Sequence, residues 1–292
     1  MIVSQQFVND LRPSFVRDKL LPGIVTFLKY FLLTVGALMM VFPFYWMFTT
    51  AFKTNAEAVR FPPQWIPSHL EWQNFVTAFN TAPFGTYFLN SIIVTISCVI
   101  LTGITTIFGA FAFSRLRFPG RTLIFSLLIS LMMVPFEMLT ITNYQTVAKL
   151  GLISTKTALI LPFMSSIFYT FILRNFFDSV PDSLYQSARV DGATNWFYLW
   201  RVMVPIARPS LMTIVLLNAI ASWNSFMWPM LVTNVPESYT LTMGLLVFTS
   251  EGGPDPNLQM AASTIVVIPV IILFLFCRKQ IVNGVARGGI KG

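Results

Sequence analysis

Charge is scarce in this sequence. Only 10% of its 292 residues are Asp, Glu, Lys or Arg, against about 25% in a soluble globular domain. That shortage excludes an ordinary soluble fold. Histidine is nearly absent too: His69 is the single copy, so no metal-ligand spacing exists. There are two cysteines, Cys98 and Cys277, and both fall within or at the edge of long apolar runs. A disulfide would need their Cα atoms within about 7 Å. Nothing in the sequence brings them together, and both read as small apolar residues. The chain lacks G-x-x-x-x-G-K-[ST], which would cradle nucleotide phosphates. It also lacks a nucleophile elbow and an H-E-x-x-H pair. These absences disfavour a membrane-embedded enzyme.

What is present is apolar length. The chain is 55% hydrophobic, with a mean hydropathy of +0.71. Five uncharged runs stand out: Tyr30–Phe52, Trp72–Ser114 (densely apolar in its second half), Thr157–Leu173, Pro209–Pro236 and Pro256–Cys277. A sixth, Thr122–Ala148, is interrupted only by Glu137. A helix crosses the hydrocarbon with about 20 residues. One such run alone would also fit a buried or interfacial helix; six together predict an all-α polytopic membrane protein with six transmembrane helices.

Orientation follows from Lys and Arg placement. Fifteen of the 19 lie on the side of the termini. They are Arg12, Arg17, Lys19 and Lys29 in the N-terminal arm, Arg115, Arg117 and Arg121 after the second span, Arg174, Arg189, Arg201 and Arg208 after the fourth, and Arg278, Lys279, Arg287 and Lys291 in the tail. Lys53, Arg60, Lys149 and Lys156 lie opposite. The expected product is a multi-pass protein of the cytoplasmic membrane, surrounded by lipid, with both termini cytoplasmic. The net charge of +8 is thus a topology signal. Nucleic-acid binding would need the charges on one surface, and here they are scattered over short loops. Residues 1–24 contain Asp10 and Asp18 and no long apolar stretch after Met1, so they read as a cytoplasmic arm, not a signal peptide. Residues 25–280 form the transmembrane domain and 281–292 a cytoplasmic tail.

The outward segments differ. Residues 53–85 carry Phe61-Pro-Pro-Gln-Trp-Ile-Pro67 and Leu70-Glu-Trp-Gln-Asn-Phe75. The prolines disfavour a long helix. The aromatics suit the membrane interface or a partner. Residues 143–156 form a short segment. Residues 234–260 hold no Lys or Arg, and Gly252-Gly-Pro-Asp-Pro256 reads as a turn. Within the spans Glu137 is the one clear acidic residue, a candidate polar gate or structural buried acid. A proton- or sodium-coupled carrier would place more charge or broken-helix backbone near the midplane. The chain therefore reads as a passive gating subunit whose energy comes from elsewhere.

The segment Asp178–Pro209 answers that need. Pro181 suits a first helical turn. Ser183–Val190 makes two turns, which Gly192 ends. Thr194 caps a second short helix carrying Phe197, Trp200 and Val204. Two short helices around a glycine turn form a knob that fits a cleft in a soluble partner. An ordinary amphipathic connection would have the same composition.

The letters of this segment resemble the cytoplasmic coupling loop of ABC importer permeases. In the carbohydrate-uptake group, similar to the maltose-type second permease, the pattern is Pro-x-x-Leu-Glu-Glu-Ala-Ala-x-x-Asp-Gly-Ala. The chain matches at Pro181, Leu184, Ala188, Asp191, Gly192, Ala193, Pro205 and Pro209. It departs at Gln186, where the pattern has Glu, and Ser187, where it has Ala. Gln keeps length and hydrogen-bonding capacity and loses the charge. Phe48–Lys53, Ala110–Gly120, Leu150–Thr155, Ser222–Pro229 and the tail Val282–Gly292 extend the resemblance over nearly the whole chain.

The resemblance implies a permease subunit that imports a sugar or oligosaccharide by alternating access. It implies a heterodimer with a second homologous permease, two cytoplasmic ATPase subunits and an extracytoplasmic solute-binding protein. ATP and Mg would be bound by the ATPase subunits, leaving this chain without a cofactor. Gln186, Ser187, Ala188, Asp191 and Gly192 would carry the coupling, with Gly288–Gly292 also touching the ATPases. Glycerol-phosphate-type or charged oligosaccharide solutes are the alternative cargo. An ATP-independent carrier or channel is the rival class. For the substrate path, Asn218, Trp223, Asn224 and Trp228 fall on the fifth span and Glu137 on the third. Positions 218, 225 and 229 keep roughly helical spacing. Amides and aromatic faces suit sugar hydroxyls and C–H faces, and they equally suit helix–helix packing.

Overall fold

The computed structural model describes residues 21–250 and 255–289, with side chains over 24–248 and 255–276. The N-terminal arm up to Leu20, the 252–254 part of the turn, the Cys277 side chain and tail residues 290–292 lie outside what is described. All regular elements among the described residues are helical. Helix α1 is Leu21–Ala51 and α2, a short surface helix, is Gln73–Thr81. Helix α3 is Phe84–Arg115. Its 32 residues at about 1.5 Å each exceed the roughly 30 Å hydrocarbon core. Three stretches are long and apolar enough to cross a membrane unbroken: Ile24–Ala51, Phe84–Arg115 and Pro256–Phe276.

The other three spans are bent. Helices α4 (Arg121–Leu131) and α5 (Phe136–Lys149) meet at 97°. Helix α6 (Lys156–Ile160) continues through Phe163 and turns 43° into α7 (Ile167–Ser179). Asn195–Ile206 turns 78° into α10 (Arg208–Trp223), after α8 (Asp182–Val190) and α9 (Asn195–Tyr198). Counted as one span each, these pairs bring the total to six. Helices α11 (Met227–Val232) and α12 (Pro256–Gly289) follow.

The bends differ from the single uninterrupted runs expected from composition, and prolines account for two of the breaks in those runs. Pro135 has no N–H and pushes its predecessor away from the α region, so Thr122–Ala148 is two half-helices. Pro229 cannot donate to the carbonyl four residues back. The fifth helix therefore ends at Trp223, well short of Pro236, and restarts as α11.

Broken helices in lipid leave backbone groups that must be satisfied by protein. Helix α3 does this with a row of buried and half-buried polar residues. Thr102 Oγ1 donates to Phe163 O (2.6 Å) and Thr105 Oγ1 to Met164 O (2.9 Å), the carbonyls freed between α6 and α7. Asn90 Nδ2 donates to Glu237 O (2.8 Å) and Tyr239 O (3.0 Å), and Leu241 N donates to Ser91 Oγ (2.8 Å). Helix α3 packs most extensively on α7. A Cβ on Gly109 would sit 3.0 Å from the Thr170 Cγ2 methyl, tighter than ordinary van der Waals contact, so a side chain there would make Thr170 give way; small residues allow such close helix crossings.

Buried apolar residues form three clusters along the molecule. One joins Phe84, Tyr87, Leu241 and Val266; a second joins Val94, Leu159, Trp228 and Val232; the third joins Phe111, Leu173, Phe177, Tyr198 and Met203. Helix α1 lies outside all but the first, exposed along most of its length and packed mainly on α12. Beyond α1 the chain folds back on itself. Asn74 Nδ2 donates to Ala51 O (2.9 Å) and Lys53 O (2.8 Å), and Trp65 stacks edge-on to Trp46 at 5.7 Å. Trp72 packs on Phe52 at 4.8 Å, while Phe61 stays free. Lys53, a loop charge by sequence, is fully buried, its Nζ 4.0 Å above the Trp46 ring and donating to Thr50 Oγ1 (3.2 Å). Desolvation pushes its pKa down.

Candidate coupling surface and translocation pocket

Helix α8 has no buried residue, yet its backbone is held at both ends. Gly192, at φ +80°, ends it in the left-handed region. Ala193 N donates to Ala188 O (2.9 Å) and Gly192 N to Arg189 O (3.1 Å). These are the two bonds of a Schellman turn. Two residues on, Thr194 Oγ1 accepts from Phe197 N (3.2 Å) and opens α9. The inward side of α8 is Tyr185 and Ala188, which lean on the third apolar cluster. Tyr185 also stacks edge-on to Tyr198 at 5.0 Å, and its hydroxyl donates to Asn195 Oδ1 (2.8 Å).

The five residues expected to carry coupling thus lie on one short knob. Gln186, Ser187, Asp191 and Gly192 face solvent; Ala188 is half-buried at the base. Val190 is 88% exposed and Leu184 is also exposed. Val190 was not among the residues singled out from sequence.

A second missed residue is Arg115. By sequence it is one of three loop charges. In the structure it is 8% exposed. Its Nη2 donates to Phe177 O (2.7 Å) and Val180 O (2.6 Å), and its Nη1 pairs with Asp182 at the start of α8. The signal available was its position as the last helical residue of α3, beside the tight α3–α7 crossing.

The residues expected on the substrate path separate. Asn218 and the Trp228 ring share a cavity of about 110 Å³ with Ser222, Ser225, Thr240 and Phe163. Ser225 and Pro229 line it too, as the spacing from Asn218 suggested. Asn218 is 8% exposed and makes no hydrogen bond among the described residues. An amide that lines a cavity without a protein partner is a ready ligand contact. The Trp228 indole N–H is already engaged by Ala158 O (3.0 Å). Trp223 turns to the opposite side, donating to Val266 O (3.2 Å) and meeting Phe88 edge-on at 5.8 Å. Asn224 is exposed just past the helix end, and Glu137 is exposed in the first turn of α5.

Residues 104–286 match the family of binding-protein-dependent transport system inner membrane components. The chain is 34% identical over 255 residues to the diacetylchitobiose uptake system permease protein DasC of Streptomyces coelicolor, covering 87% of this chain and 92% of that one. It is 32% identical to the arabinooligosaccharides transport system permease protein AraQ of Halalkalibacterium halodurans (89% and 96% covered). It is 30% identical to the sn-glycerol-3-phosphate transport system permease protein UgpE of Yersinia pestis (87% and 94%). Among solved structures, a chain of a bacterial ABC transporter involved in the import of the acidic polysaccharide alginate superposes with a TM-score of 0.78 at 25% identity, covering 88% of this chain and 96% of that one.

Proposed function

The chain belongs to the family of binding-protein-dependent transport system inner membrane components, and on that premise we propose that it passes a neutral oligosaccharide inward, driven by ATPase subunits docked on α8. The observation that carries this reading is α8 itself, a helix with no buried residue whose first residue, Asp182, is held by Arg115 and whose last turn is closed by the glycine turn at Gly192. A surface loop without a partner would have no use for that rigidity. The end bearing α8 is cytoplasmic, with both termini on that side. A second homologous permease completes the membrane pathway, and an extracytoplasmic binding protein delivers the solute at the far end. ATP and Mg belong to the two ATPase subunits. Nucleotide shifts the permease between inward- and outward-facing states only through its different affinity for the two, and α8 is where this chain feels the change.

The cargo reading comes from the pocket. Its lining offers an amide, three hydroxyls and aromatic rings, and no Lys or Arg. Such a set suits sugar hydroxyls and C–H faces. A phosphate ester or acidic sugar would call for an arginine or lysine. The relatives named for diacetylchitobiose and arabinooligosaccharides agree with this chemistry better than the glycerol-phosphate relative. A ligand site usually spans about 300–1,000 Å³, so the second permease supplies the remaining wall of a cavity of about 110 Å³.

Affinity purification of the chain from its native membrane tests the assembly. Recovery of a second six-span chain and an ATPase is expected; a chain that stays alone where known complexes survive overturns it. Uptake by the reconstituted complex tests the cargo. Neutral disaccharides should be imported, Asn218→Ala should weaken apparent affinity, and preference for a phosphate ester would replace the cargo reading.

A further inference from the structure

We infer that Arg115 is a positioning residue through which movement of α8 reaches the membrane helices. The inference rests on α8 being the docking element. One guanidinium joins three separate segments. It leaves the last turn of α3, caps the end of α7 through Phe177 O and Val180 O, and holds Asp182, the first residue of α8. The final carbonyls of a helix have no intrahelical partner. A guanidinium meets several of them at once because its donors form a fixed planar fork, which a lysine lacks. Two of the acceptors are backbone, and they move only if their helix moves. The third is a side chain on the knob, three-quarters exposed. Arg115 is thus a strut with a buried root and a surface tip.

A second arginine makes the root stiff. Arg174 on α7 donates from Nε to Phe113 O on α3 (3.3 Å), lies 4.1 Å above the Phe125 ring of α4, and pairs with Asp178 (3.3 Å). The α8-side ends of α3, α4 and α7 are therefore laced into one block. The chain leaving α8 in the other direction has no such tie. From Leu199 to Ala207 no side-chain hydrogen bond or ion pair occurs among the described residues, and the path turns 78° before α10. A displacement of α8 is consequently carried by the block and absorbed at the bend.

Asp182 is the place to cut the strut, because its exposed carboxylate can be removed without disturbing the carbonyl bonds of Arg115. The assembled complex, reconstituted with its binding protein, is assayed for solute imported per ATP hydrolysed. Asp182→Asn should keep ATP hydrolysis while lowering import per ATP about fivefold or more, the range in which site-to-site coupling is usually lost. Asp182→Glu should restore much of it, and Arg115→Lys should fall between. Unchanged import per ATP in Asp182→Asn overturns the inference. So does equal loss of hydrolysis and import in an intact complex, since Asp182 would then serve docking itself. A parent chain that never assembles with an ATPase defeats the docking reading instead.

Discussion

The segment between α7 and α10 leaves the helices by one route and returns by another, and the two are built differently. The departing route is polar and fixed: three groups between Phe177 and Asp182 are gripped by one guanidinium. The returning route is apolar and bent: Leu199, Met203 and Ala207 are buried in the third cluster with a sharp turn after them. Hydrogen bonds to backbone set a register, whereas apolar packing tolerates sliding. A lever needs one of each.

The largest way to break the contrast is to pry the fixed side open. Gly109→Val puts a branched side chain where Thr170 Cγ2 would already lie 3.0 Å from a Cβ. Overpacking costs about 1–3 kcal/mol, so the detergent-solubilised chain should aggregate at a clearly lower temperature. Gly192→Val acts on the knob alone. Its left-handed backbone costs a non-glycine residue roughly 1–2 kcal/mol, and nothing lies within 4 Å of the added Cβ. Co-purified ATPase should fall while thermal stability of the membrane part holds. Pro209→Ala addresses the bent side. Restoring an N–H lets the helix run on toward Ile206, and a straighter route should lower import per ATP with ATPase binding unchanged. If it instead leaves import untouched, the bend is not a hinge.

The smallest effect lies far from both routes. Glu57 closes the loop after α1: its carboxylate accepts from Thr54 N (3.1 Å) and Ser68 N (3.3 Å). The Ser68 hydroxyl first, then the Thr54 amide, hold its pKa below the usual carboxylate range. A depressed acid stabilises the folded loop above its unfolded pKa, about 4.3, and the contribution fades as pH falls below that. Proteolysis of residues 54–70 should speed up between about pH 5 and 3, and Glu57→Gln should flatten that dependence.

Much of this was readable from letters. Apolar runs located the three unbroken spans and two of the bent ones, whereas the third bent pair opens at Asn195, inside the segment read as the loop; the Pro181–Ala193 pattern located the knob with its glycine turn. The limits were physical. Counting arginines cannot tell a solvated charge from one that caps carbonyls, so Arg115 looked like its neighbour Arg117, which is exposed. Lys53 was hidden in the same way beneath Trp46. An uncharged run also says nothing of direction. Thr122–Ala148 is apolar enough to cross, and only the Pro135 break turns its second half by 97°. The pocket was half legible: Asn218 and Ser225 share it, but Trp223, five residues from Asn218, points the other way.

Helix α1 has one main neighbour, and that neighbour is α12. Among the described residues, the helix opening at Leu21 is thus matched with the one opening at Pro256, and Ala51 shares a cluster with Ala261, Ala262 and Val266. Nearer in sequence, α1 is met only toward its Ala51 end, where Trp46 and Phe52 receive Trp65 and Trp72. Loop-closure cost grows only slowly with chain length, so a pairing this distant remains cheap to close.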